Sequence, residues 1–350
     1  MLIAEKTPDR IAFCNGKAYL FFSGTAYLGM NSSVEFQEYL TEGISRYGTN
    51  YSSSRNSNFR LKVYEDAEHH LATFAGAEAA LTVSSGYMAG QLTVRYFMDK
   101  GEFIFAPNAH PAVCIQPSDF FYADFDHWVN NLHAAINNTT ASSIIIVTNS
   151  LDPLLAINYN FNWVSTLPAD KDITLIIDDS HGFGITGSNG SGIFSEVSTP
   201  PHVNLIVVSS FGKAMGIPGG LVLSNKKTID QLKQSAYFNT SSPIIPAYLY
   251  AYLKSDHLFA KRRMALDENI NQFRAKIGDT GLFQCFDHYP VFYTTQNELY
   301  PFLEKKDILI SSFAYPMPGD DLITRVVINS HHTAADIEQL GVCIEEFLDS

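Results

Sequence analysis

Four short apolar runs constrain this chain more than any other feature: Ile144–Thr148, Thr174–Asp178, Leu205–Ser209 and Gly220–Leu223. Each is rich in Ile, Val or Leu. Their apolar character is continuous rather than alternating, as in strands covered on both faces, and a mostly parallel sheet flanked by helices supplies that cover. Helical spacing fills the intervals. Val34–Arg46 and Leu61–Gly76 carry apolar residues three and four apart. In the second, Val63, Ala67, His70, Leu71 and Phe74 share a face, and Gly76 stands as the C-cap. Gly86–Asp99 reads as a further helix opened by Ser84–Ser85 as N-cap.

Alternation of strand and helix from about residue 70 to about residue 230 predicts a doubly wound α/β unit. Beyond it the pattern changes to a long helix at Ala247–Phe273, short strands at Tyr289–Thr295 and Arg325–Asn329, and a last helix at Ala334–Leu348. The expected organisation is an N-terminal segment 1–40, a large α/β domain 41–230 and a smaller α+β C-terminal domain 231–350. With 350 residues the chain buries enough surface to stand without disulfides or a structural metal. Its four cysteines, Cys14, Cys114, Cys285 and Cys343, have neither zinc-ligand nor disulfide-framework spacing, so no metal site is expected.

The formal charge of −13 argues against nucleic acid or an anionic membrane as the main partner, since both select clustered Lys and Arg. It leaves room for a small anionic ligand held by local amides. The opening residues mix both charge signs, and no apolar run reaches bilayer-spanning length. A cytoplasmic protein is expected.

The chemistry concentrates around Lys213, in SSFGKAMGIPGG, directly after the strand Leu205–Ser209. A lysine there emerges at the carboxyl end of a parallel strand, where open α/β sheets bind ligands. Partly desolvated, it sheds its proton and attacks an aldehyde as the free amine. Taken alone, it reads first as a solvated loop lysine, the usual fate of Lys, and Ala214 rules out a Walker motif. The preceding strand changes the balance, because Thr174–Asp178 runs into Asp178, Asp179, Ser180 and His181. A carboxylate at that strand end can pair with a protonated pyridine nitrogen, the tuning expected of a pyridoxal phosphate site. His181 is placed to reach the ring hydroxyl or the substrate.

Gly182, Gly184 and Gly187 spell GxGxxG after a strand, the dinucleotide fingerprint, but SNGSG follows instead of a helix and no acidic residue lies about 20 positions on. A phosphate finds its place at Ser84-Ser85-Gly86-Tyr87, where a helix start offers free amides; simple N-capping explains the same residues. Ser210 can add a hydroxyl. His110, in APNAHPAV, is either a satisfied loop histidine or a ring stacked on the cofactor face.

These residues resemble the fold-type-I pyridoxal-phosphate enzymes of the class I/II aminotransferase superfamily, and within them the α-oxoamine synthases. AYLGM is similar to their NDYLGL motif, RYGTNYSSSR to YG-x-G-x-x-x-SR, and AGAEAALTVSSGYMAG to the phosphate-helix entry. IIDDSHGFGITGSNGSG is similar to D-x-AH-x-x-G-x-x-G-x-x-G-x-G, and SSFGKAMGIPGG to the lysine loop. The resemblance implies an aminotransferase-like fold and a role for each position. Lys213 would carry the cofactor as a Schiff base and move the α-proton, Asp178 would bind the pyridinium, His181 the ring oxygen, and His110 would stack on the ring. Ser85, Gly86, Tyr87 and Ser210 would hold the phosphate, with Thr240 reaching over from the second copy of a homodimer. Arg325, in TRVVINSHH, would clamp the substrate carboxylate; a surface strand arginine is its other reading.

Departures fall on the substrate side. Thr25 stands for the motif's Asn, serines replace the glycines around Tyr51, and Thr148-Asn149-Ser150-Leu151-Asp152-Pro153-Leu154 replaces T-E-x-x-x-S-M-D-G, so an acidic residue and a serine are lost. The implied reaction is decarboxylative condensation of an amino acid with an acyl thioester, acyl-CoA foremost, to an α-amino ketone. Aminotransfer to a keto acid uses the same lysine and stays open. A catalytically impaired binding protein on the same fold is the third reading.

Overall fold

The computed structural model describes residues 2–278, 280–315 and 317–350. A six-stranded sheet runs in the order Ala79–Val83, Gly220–Ser224, Val203–Ser210, Asp172–Asp178, Ser143–Asn149, Glu102–Phe105. The last four strands are mutually parallel, and Gly220–Ser224 is antiparallel to both neighbours. The mostly parallel α/β sheet expected from the apolar runs is therefore present, extended by Ala79–Val83 and Glu102–Phe105, which the runs did not announce.

Continuous apolar character is explained by the two cores. Ile144, Ile146, Leu175, Ile177 and Val207 face one cluster, while Ile145, Val147, Ile176, Ile206 and Val208 face the other. Successive strand residues point to opposite faces, so a strand covered on both sides needs an apolar residue at every position. The helix Gly86–Phe97 covers the second face, capped by the Ser85 side chain, which accepts from the Met88 amide at 3.1 Å. The helices Val34–Tyr47 and Lys62–Ala75 begin and end within a residue of their expected bounds, with Gly76 closing the second at φ 73°.

The expected helix Ala247–Phe273 is two helices, Pro246–Leu253 and Asp256–Ile277. Apolar spacing runs through the junction and hides it. At the break, Ser255 is fully buried, leaves helical geometry at φ −111° and ψ 11°, and donates its hydroxyl to the Ala251 carbonyl at 2.6 Å. A serine that bonds the preceding turn competes with the helical ladder.

A second sheet runs in the order Ile11–Cys14, Lys17–Phe22, Ile308–Ala314, Leu322–Val327, Val291–Thr294. Its first two strands form a hairpin through Asn15 and Gly16, both at positive φ, and Lys17–Phe22 then lies parallel to Ile308–Ala314. The early residues are thus part of the C-terminal sheet, and the Ser23 and Ser311 hydroxyls meet at 2.7 Å across 288 residues of sequence. This pairing sets Thr25–Gly29 beside the large sheet, where the Ser330 amide bonds the Tyr27 carbonyl at 3.0 Å. Among the described residues no helix is long and apolar enough to cross a membrane.

Candidate active site

The site begins with three strand ends in register. Asn149 pairs with Asp178, and Asp178 with Val208, so the carboxyl ends of these parallel strands lie level. Two residues past Val208 the chain enters a loop, 211–219, that returns as the reversed strand, Gly220 pairing with Ser210. Three backbone bonds hold the loop: Phe211 N to Gly219 O, Ile217 N to Phe211 O and Gly216 N to Lys213 O, at 3.0, 3.1 and 3.1 Å. Gly216 sits at φ 68° with a Cβ there only 2.7 Å from the Asn31 amide nitrogen, so the turn accepts no side chain. Lys213 is carried on this rigid turn.

Lys213, Asp178, His181, His110 and Arg325 all line one cavity of about 260 Å³. A larger groove of about 1130 Å³ shares Ser150 and Leu151 with it and contains none of the five. Within the cavity the Lys213 amine makes no ion pair with any described residue, and burial pushes its pKa below the ordinary 10.5, Asp178 opposing and Arg325 assisting. Asp178 is buried; one carboxylate oxygen accepts from the Ser180 amide at 2.9 Å and the other lies 3.9 Å from His110 Nδ1. That separation is too long for a hydrogen bond.

His181 shows why a residue without an assigned role matters. Its Nδ1 lies 2.9 Å from the hydroxyl of fully buried Tyr27. Burial raises the phenol's pKa, so it keeps its proton, and burial followed by the charges of Lys213 and Arg325 holds the His181 imidazole well below its usual range. With the phenol as donor to Nδ1, the imidazole proton sits on Nε2. Tyr27 belongs to the AYLGM motif, and the helix and strand patterns give no sign that it reaches a histidine 154 residues away.

His110 caps a short 3-10 turn at Pro111–Val113, its Nδ1 accepting from the Ala112 amide at 3.1 Å. Burial lowers its pKa, with Asp178 opposing. Asn149, the substitution at the motif's acidic position, pins this loop: its carbonyl oxygen accepts from His110 N at 3.0 Å and its amide donates to Asn108 O at 2.6 Å. An ionised carboxylate has no donor for the second bond.

Arg325 is not a surface residue. It is 5% exposed, its Nη1 donates to the Pro153 carbonyl at 2.5 Å, its guanidinium lies 5.4 Å from the Phe313 ring centre, and its Nε has no partner. No carboxylate among the described residues pairs with it.

The remaining expected residues divide. Gly86 packs on Ser210, where an added Cβ would stand 2.4 Å from the serine Cβ, and Gly220 packs on Ser85, where one would stand 2.1 Å from the carbonyl oxygen. Ser85, Gly86 and Ser210 thus form one shelf at a helix start. Tyr87 is 61% exposed, and the Thr240 hydroxyl turns back to Ala236 O at 2.9 Å on an exposed short helix. None of Ser85, Gly86, Tyr87, Ser210 and Thr240 is among the residues that line the cavity. Thr25 does line it.

The GxGxxG stretch is followed by a 3-10 turn, Ser188–Gly190, rather than an α-helix. Gly182 of the stretch and Gly192 beyond it make room for Asp179: a Cβ at Gly182 would lie 2.0 Å from one carboxyl oxygen, and a Cβ at Gly192 2.2 Å from the other. Asp179 is fully buried, accepts from the Ile193 amide at 2.9 Å, and is pushed up to about 7 by that burial.

This arrangement fits pyridoxal phosphate. A buried amine without a carboxylate partner suits its aldehyde, a strand-end carboxylate its ring nitrogen, a neutral Nε2–H its ring oxygen, and a shelf that one methyl would fill its phosphate.

Known proteins are similar to this chain along nearly its whole length. An 8-amino-7-oxononanoate synthase from Aliivibrio fischeri (strain MJ11) is 27% identical over 349 residues, covering 95% of this chain and 90% of its own. A serine palmitoyltransferase from Sphingobacterium spiritivorum is 23% identical over 351 residues, covering 96% and 88%. The solved serine palmitoyltransferase of Sphingomonas wittichii has the same fold, with a TM-score of 0.82 at 18% identity over 99% of this chain and 91% of that one. Residues 22–340 match the model of the aminotransferase class I and II family, and the chain belongs to that family.

Proposed function

We propose that this chain is a pyridoxal-phosphate-dependent transferase that condenses an amino acid with an acyl thioester, losing CO₂ and leaving an α-amino ketone. The observation that carries the reading is the convergence of a depressed lysine, a strand-end carboxylate and an unpaired buried arginine on one cavity. The similarity to 8-amino-7-oxononanoate synthase and serine palmitoyltransferase along nearly the whole chain supports the choice of reaction.

When bound, pyridoxal phosphate supplies an electron sink for charge developing on the substrate's α-carbon. Lys213, its pKa lowered by burial, would hold the cofactor through its aldehyde and would serve as the base for the substrate's α-proton. Asp178 would pair with the ring nitrogen and favour its protonated form. His181 would reach the ring oxygen through Nε2, with Tyr27 on its Nδ1. His110 presents its ring to the same cavity. Gly86 and Tyr87 offer backbone amides, and Ser85 and Ser210 hydroxyls, to the phosphate. Arg325 receives the substrate carboxylate as a desolvated two-point partner. Thr240 completes the phosphate site from a second copy of the chain, in a homodimer working in the cytoplasm.

The test is a paired assay of the holoenzyme: thiol release from an acyl-CoA panel with glycine, alanine or serine, against amino transfer to a keto acid. Amino-acid-dependent thiol release, abolished in Lys213→Ala, is expected. Amino transfer without thiol release would replace the condensation by the transaminase reaction. No α-hydrogen exchange with deuterated water in either assay would leave a binding protein.

A further inference from the structure

The cavity counts its cations. Among its described lining residues, Arg325 and Lys213 are the basic side chains besides the histidines; burial lowers the pKa of Lys213 and of both histidines. Lys213 is committed to the cofactor in the reading above. One guanidinium remains, and it satisfies one carboxylate. The amino acid brings that carboxylate.

Around Arg325 the wall turns apolar. Pro153 and Phe313 touch or flank the guanidinium, and Leu154, Leu155 and Ile323 line the same cavity. This stretch follows the replaced motif, in which an acidic residue and a serine gave way to Asn149 and Pro153. Asp152 adds a buried carboxyl rather than a cation. It accepts from the Leu154 and Leu155 amides at 2.8 and 2.9 Å and would repel a second anion. The Tyr122 hydroxyl donates to the Tyr315 backbone carbonyl at 3.0 Å, and both residues line the cavity.

We propose that the acyl donor accepted here ends in an uncharged group, and that Leu154 and Leu155 select against donors whose far end is a carboxylate. The proposal rests on the condensation reading and names its substrate class. By its name, an 8-amino-7-oxononanoate synthase makes a chain that ends in a carboxylate, whereas a palmitoyltransferase moves a plain alkyl chain; the cavity wall suits the second chemistry. A carboxylate pressed against leucines with no cation to meet it bears an uncompensated desolvation cost.

The experiment compares octanoyl-CoA with suberoyl-CoA, a matched pair differing in the terminal carboxylate, on the holoenzyme with its best amino acid. The methyl-ended donor is expected to have a kcat/KM at least about 100-fold higher. Equal or better use of suberoyl-CoA overturns the inference. In Leu155→Arg the ratio should narrow by about tenfold or more as the new cation meets the carboxylate; an unchanged ratio overturns the assignment of the wall. If neither donor releases thiol, the condensation reading falls, and binding decides the inference: both thioesters are titrated against the fluorescence of the bound cofactor. Tighter binding of octanoyl-CoA then sustains it, and equal or tighter binding of suberoyl-CoA overturns it.

Discussion

Replacing Arg325 by methionine should make the unliganded protein more stable and the enzyme worse. The side chain is 5% exposed, with one hydrogen bond, to Pro153 O at 2.5 Å, and an orphaned Nε. Desolvating an ion costs several kcal/mol after relaxation. The charged hydrogen bond returns ~1.5–3 kcal/mol and the Phe313 face ~0.5–1 kcal/mol. A deficit of ~1–4 kcal/mol is left, the range by which apolar replacements of buried ions stabilise proteins. Methionine fills much of the same volume without charge, so Tm in the absence of substrate should rise by ~2–8 °C. With substrate the sign reverses. Loss of a buried carboxylate partner costs ~2–5 kcal/mol, a fall of about 30- to 5,000-fold in kcat/KM for the amino acid. Thermal melts and steady-state kinetics on the same preparations check both halves. A Tm that drops by several degrees with kcat/KM intact would mean that Arg325 serves the fold and meets no substrate.

Three further outcomes follow from the same site. Asp179, raised from 3.8 to about 7 by burial, holds a proton in the folded state that the unfolded chain releases. Its contribution to stability is therefore lost as pH rises from ~4 to ~7, by at most ~4 kcal/mol; Asp179→Asn should flatten that slope in melts at pH 4.5 and 7.5, and an equal slope would refute it. Tyr27→Phe leaves His181 Nδ1 without its donor, so the cofactor Kd of the apoprotein should rise about tenfold, and an unchanged absorbance titration would remove Tyr27 from the site. Gly86→Ala puts a methyl 2.4 Å from Ser210 Cβ; affinity for pyridoxal phosphate should fall while that for pyridoxal, which lacks the phosphate, stays the same, and parallel losses would count against the shelf.

How legible the molecule was in its sequence depends on how local each signal is. Double-sided burial writes itself into every residue of Ile144–Thr148 and Leu205–Ser209, so the sheet was readable. Caps are local as well, and Ser85 and Gly76 sit where their residue types demand. The break at Ser255 was not readable from periodicity, because the apolar pattern continues across it; the Ser255-Asp256 pair, a helix-start signal, was the available clue. The N-terminal hairpin carried a stronger one. Asn15-Gly16 between IAFC and KAYLFF is the two-residue turn that favours positive φ at both positions, and it occupies that geometry. Lys213 and Asp178 declared themselves because each follows a legible strand. Arg325's burial, the Tyr27–His181 bond and the strut made by Asn149 join residues far apart in sequence, and no local pattern encodes such meetings.

The pairing of Lys17–Phe22 with Ile308–Ala314 also sets a timetable. As the chain leaves the ribosome, the hairpin made first has no edge to join until residues beyond 308 emerge, and long-range closure of this kind is slow. Until then Thr25 and Tyr27, attached just after it, have nowhere to settle. The nascent protein thus exposes an unpaired strand edge until the strand Ile308–Ala314 is available, and gains a finished cavity only after that pairing.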